Sequence, residues 1–107
     1  MQIDIQTRDI TLTEELRAHV ERRLQFALSR FQDQGLLITV CLSGVSGGSG
    51  ADRHCYLQIR AEGCPDVSIE DTEADLYIAI NRAVERAGRM LERQWQCAHN
   101  HLNGPFQ

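Results

Sequence analysis

The chain contains no lysine, so all 11 of its Lys/Arg-type cations are arginine. That excludes lysine-based chemistry and leaves any phosphate contact to guanidinium, whose planar fork donates two N–H bonds at once. Cys-x-x-Cys pairs are also missing: Cys41, Cys55, Cys64 and Cys97 are dispersed, and no basic start followed by an apolar leader precedes them. Reduced thiols in a cytoplasmic protein are therefore expected. No apolar run approaches the ~20 residues of a membrane-spanning helix, which excludes that class. What remains, in 107 residues with 42% apolar and 24% charged side chains, is the composition of one soluble globular domain.

The formal charge of -4 argues against general affinity for polyanions, but the charge is unevenly spread. Glu62, Asp66, Glu70, Asp71, Glu73 and Asp75 crowd the stretch from Ala61 to Asn81, which has no arginine. From Arg82 onward the balance reverses, with Arg82, Arg86, Arg89 and Arg93 against Glu85 and Glu92. At about 100° per residue these arginines share one helix face, and Leu76, Ile80, Ala83, Val84, Ala87 and Leu91 share the opposite one. Such a helix packs on one side and can hold phosphates on the other.

Gln2 to Arg8 alternates in the manner of a half-buried strand, with Ile3 and Ile5 inward. Thr11 or Thr13 can cap a first helix, whose inward residues are Leu16, Val20, Leu24, Ala27 and Phe31 and whose end falls near Asp33 to Gly35. His19, Arg22, Arg23, Phe26 and Arg30 recur at helical spacing beside that inward face, forming a second basic strip. Leu36 to Ser43 reads as a strand, Gly44 to Ala51 as a hairpin loop, and Arg53 to Ala61 as a third strand. The glycine-rich loop lacks the Gly-Lys-Ser/Thr ending of a phosphate cradle. A turn at Gly63 to Pro65 leads to a short fourth strand around Val67 and Ile69. Thr72 with Asp75 then suggests the cap of the second helix, expected to end near Gln96.

The order β-α-β-β-β-α predicts an α+β fold of two layers: a four-stranded antiparallel meander with both helices on one face and the other face wet. Residues 1–96 would form this domain and 97–107 a loose tail. Cys97, His99 and His101 put three soft ligands into a short stretch, but zinc sites draw on separated ligand pairs, so no metal or cofactor is expected.

Three segments resemble the short bacterial ribosome hibernation-promoting factor and ribosome-associated inhibitor family, also called the sigma-54 modulation protein family. They are Met1-Gln2-Ile3-Asp4-Ile5, the helix start Leu12-Thr13-Glu14-Glu15-Leu16-Arg17, and Asp75-Leu76-Tyr77-Ile78-Ala79-Ile80-Asn81. The last matches the family's Asp-Met-Tyr-x-Ala-Ile-Asp/Asn signature. The resemblance implies a fold similar to double-stranded-RNA-binding domains, seated on small-subunit rRNA in the channel for messenger and transfer RNA, where it blocks translation in stressed or resting cells. It also implies phosphate or ribose contacts from Arg23, Arg86, Arg89 and Arg93. Together with the two helical strips, the expected RNA-contacting set is Arg22, Arg23, Arg30, Arg82, Arg86, Arg89 and Arg93, converging into one electropositive channel. A monomer is expected, with no DNA or membrane partner and without the ribosome-pairing role that an extra domain gives long family members.

The chain departs from the family in being acidic and lysine-free, with Phe26 where Lys is frequent, Trp95 where a base is common and Gly63-Cys64-Pro65 where glycines are consecutive. Each missing cation lowers affinity and its salt dependence. The rival reading is a protein-interaction module on the same scaffold, with RNA binding weakened or lost. Catalysis is not expected: Asp71, Glu73 and Asp75 suit a helix start, and His54 and Cys55, adjacent on a strand, point to opposite faces.

Overall fold

The computed structural model describes residues 1–47 and 50–103, and their side chains except 32, 45–47, 50–51 and 97–103. The elements are β1 (Gln2–Arg8), α1 (Glu14–Ala27), a 3₁₀ helix (Ser29–Gln34), β2 (Leu37–Gly47), β3 (Gly50–Arg60), β4 (Val67–Glu73) and α2 (Leu76–Asn103). The α+β order and the four-stranded sheet, in spatial order β1-β2-β3-β4, are those the sequence predicts.

The sheet is not a pure antiparallel meander. β1 runs parallel to β2, with Ile3 opposite Ile38 and Ile5 opposite Val40, and only the β2–β3 and β3–β4 pairs are antiparallel. A strand followed by a helix is carried back to its starting end, so the next strand enters in the same direction. The glycine-rich segment is also mostly strand: β2 and β3 stay paired out to Gly47 opposite Gly50, where their backbone groups satisfy one another.

α1 begins where Thr13 Oγ1 accepts from the Leu16 N–H at 3.1 Å, the second of the two caps foreseen. Its regular turns stop at Ala27, and the chain tightens into the 3₁₀ helix before Gly35, at φ 64°, adopts the left-handed turn that ends it. α2 is capped by Asp75 alone, whose Oδ1 accepts from the Tyr77 N–H at 2.8 Å. Thr72 is instead part of β4, where its hydroxyl meets His54 Nδ1 at 2.9 Å. α2 continues beyond Gln96 to Asn103. The side chains of Cys97, His99 and His101 lie outside those described.

The core lies between the sheet and both helices. Leu16, Val20 and Leu24 of α1 and Ile80, Val84 and Leu91 of α2 are buried against Ile38, Val40, Leu42, Leu57 and Ile59. Burying each such side chain contributes about 1.5–3 kcal/mol, which makes this interface the main stabilising element. Contacts between the helices advance in step: His19 reaches Asn81, Ala27 faces Gly88, Arg30 reaches Glu92 and Phe31 meets Trp95 edge-on at 5.8 Å. The helices therefore run in the same direction, side by side, and each exposes its outer face along the same line. No described helix is long and apolar enough to cross a membrane.

Candidate nucleic-acid interface

The packing of α2 decides where its arginines go. Its apolar stripe is pressed on the sheet and α1, so its polar residues divide between the β4 side and the α1 side. On the β4 side the strand alternation sets the partner. Val67 and Ile69 point into the core, and the next inward positions, Asp71 and Glu73, continue the same line at the sheet edge beside α2. Arg82 Nε lies 3.6 Å from Glu73, and Arg86 Nη1 lies 3.9 Å from Asp71 while donating to the Glu70 carbonyl at 3.1 Å. Asp71, Glu73, Glu85, Arg82, Arg86 and Arg89 together line a pocket of about 240 Å³ in which acids and bases are equal in number.

On the α1 side, a groove of about 290 Å³ is lined by Arg23, Phe26 and Ala27 of α1, by Arg30 and Phe31 beyond it, and by Glu85, Gly88, Arg89 and Glu92 of α2. Arg30 pairs with Glu92 at 2.6 Å, and Arg89 with Glu85 at 3.8 Å, four residues earlier on the same helix. Arg23 has no ion pair among the described residues, and its Nε is sealed from water without an acceptor. A buried donor left unsatisfied costs about 1–3 kcal/mol, and an acceptor reaches this one only if the Arg23 side chain shifts toward the groove that it lines. The groove holds three arginines against two glutamates, a surplus of one positive charge.

The seven predicted arginines therefore do not converge into a single electropositive channel. Arg23, Arg30 and Arg89 meet in the groove between the helices, Arg82 and Arg86 gather at the β4 edge with Arg89 bridging the two, and Arg22 and Arg93 line neither pocket. Four of the seven sit against carboxylates. Pairs this exposed contribute only about 0–1 kcal/mol each, so they lower affinity for a phosphate without closing the site to one. Arg22 and Arg93 are exposed and have no ion pair or hydrogen bond among the described residues. The helical strips signalled the arginines, but not Glu85, Glu92, Asp71 and Glu73 as their partners, nor Gly88 as part of the groove.

The sheet's outer face is polar, as expected. His54, half-buried there, is bonded to Thr72 and lies 3.3 Å from Glu70 through Nε2. Its neighbour Cys55 points the other way into the core, where burial first, then Asp71 and Cys41, push the thiol up to about 12. That thiol is protonated at neutral pH and is no nucleophile. Cys41 lies half-exposed on the outer face with its thiol 3.7 Å from Gln6 Oε1.

Comparison with known proteins gives this geometry a context. The N-terminal domain of Protein Y from Thermus thermophilus is 33% identical, over 87% of this chain and 98% of that domain, with a TM-score of 0.75. A ribosomal subunit interface protein from Coxiella burnetii shares the fold at 14% identity and a TM-score of 0.69, covering 87% of this chain and 96% of that one. Among curated proteins none matches. The family model described as "Sigma 54 modulation protein / S30EA ribosomal protein" matches residues 3–96, and the chain belongs to that family.

Proposed function

We propose that this protein is a cytoplasmic, non-catalytic ribosome-associated factor that binds small-subunit rRNA near the messenger and transfer RNA channel and inhibits translation in stressed or resting cells. The observation that carries the reading is the groove between α1 and α2, where arginines from both helices face one cavity and Arg23 has no ion pair among the described residues. Family membership and the likeness to the Protein Y domain support it. Guanidinium contacts of this kind seat a protein on the sugar-phosphate backbone and do not read base sequence. Arg23 would anchor a phosphate in the groove, Arg22 and Arg93 would add contacts beside it, and Arg30, Arg82, Arg86 and Arg89 would exchange carboxylate for phosphate on docking.

One observation favours a second reading, a protein-interaction module with weakened RNA binding: the net charge is -4, and carboxylates already engage four of the seven arginines. Cosedimentation with small ribosomal subunits over a salt series separates the two. The RNA reading expects binding that declines steeply with salt, and a weaker, less salt-sensitive complex for Arg86→Ala combined with Arg89→Ala, by about 0.7–0.9 in log–log slope per lost phosphate contact. An unchanged complex in that double variant removes the proposed site. No sedimentation even at low salt favours the interaction module.

A further inference from the structure

Phe26 is 78% exposed, the most exposed large apolar side chain among the described residues, and it lines the groove that holds Arg23, Arg30 and Arg89. Three positions apart on α1, Arg23 and Phe26 are surface neighbours, so one cation and one aromatic face present themselves together. Arg30 and Arg89 are occupied by Glu92 and Glu85, which leaves Arg23 as the one arginine of the groove without an ion pair among the described residues. A phosphodiester carries one negative charge. An aromatic face beside it suits the base of the same nucleotide.

Gly88 also lines the groove. Glycine inside a helix is unfavourable, and its usual justification is that another backbone comes too close for a side chain. That does not hold here, because a Cβ at Gly88 would meet the Ala27 carbonyl at 3.6 Å and Leu28 Cδ2 at 3.9 Å, ordinary van der Waals distances. The methyl that Gly88 lacks would pack on Ala27 and Leu28, between the two helices at the floor of the groove.

We infer that the α1–α2 groove receives one unstacked RNA nucleotide, its base on Phe26 and its phosphate on Arg23. This deepens the proposed RNA-binding role and depends on it. Bases in a duplex have their faces covered by stacking, so the ligand is a single-stranded or bulged segment. Phe26 then discriminates unpaired from paired RNA, while the arginines outside the groove serve both.

The test uses the full chain with a short single-stranded RNA carrying one 2-aminopurine, the matching duplex, and small ribosomal subunits. Stacking on Phe26 quenches the 2-aminopurine. Phe26→Ala loses the quench and binds the single strand about 5- to 150-fold more weakly, with duplex affinity unchanged, and Phe26→Trp restores binding. Because Phe26 is outside the core, circular dichroism of the variants should match the parent. Equal single-strand affinity for parent and Phe26→Ala overturns the inference while leaving ribosome binding intact. So does a loss seen only with subunits, which would make Phe26 a contact to ribosomal protein. A parent chain that binds neither RNA nor subunits overturns the RNA-binding reading as well.

Discussion

The two flanks of α2 are built from the same residue types and differ in what faces them. Toward β4, a strand edge presents Asp71 and Glu73, and Arg82 and Arg86 are neutralised within the fold. Toward α1, the neighbour is another amphipathic helix that brings Arg23 and Phe26, and a positive charge is left over. An arginine's availability is thus a property of the element opposite it, and a count of arginines along α2 does not reveal it.

The largest effect should come from removing the support common to both flanks. Leu91, 1% exposed beneath α2, loses its packing in Leu91→Ala, and unfolding in urea should show a loss of about 2–5 kcal/mol, with both flanks failing together. Next is Arg23→Ala. A hydrogen bond to a charged group is worth about 1.5–3 kcal/mol, so affinity for small subunits should fall roughly 10- to 150-fold. Its melting temperature should stay level or rise slightly, since an unsatisfied buried Nε is removed. Arg82→Ala, made on the neutralised flank, should weaken binding less. If the two variants weaken binding equally, the contrast between the flanks is wrong.

Gly88→Ala should raise stability by about 0.8–1 kcal/mol in thermal unfolding, since the new methyl finds ordinary contacts with Ala27 and Leu28. The smallest effect is expected of Asp71→Asn with Glu73→Gln. Releasing Arg86 and Arg82 from pairs worth about 0.2–1 kcal/mol each should tighten RNA binding a few-fold at low salt, measured by filter binding, and the gain should vanish at high salt.

Much of the fold was legible because burial is written in periodicity. Ile3 and Ile5 marked β1, Leu16, Val20 and Leu24 marked α1, and Ile80, Ala83, Val84, Ala87 and Leu91 marked the inward face of α2, all as observed. Strand direction was not legible in alternation, which reads the same either way; only the return through α1 makes β1 and β2 parallel. Asp71 and Glu73 looked like helix-start carboxylates because nothing local shows that β4 runs to Glu73. Phe26 was visible as a helix-edge aromatic, but its place in an arginine-lined groove depended on Gly88 and Glu85 of α2.

By itself, the order of residues determined which side chains are buried and which are wet, because that follows from helical and strand repeats within a few positions of each residue. The tertiary structure alone decided which charges cancel. Arg30 and Glu92 meet across 62 positions of chain, and so do His19 and Asn81, since two helices running in the same direction keep a constant offset. Coulomb attraction depends on distance in space, and that distance exists only after the helices have been laid side by side on the sheet.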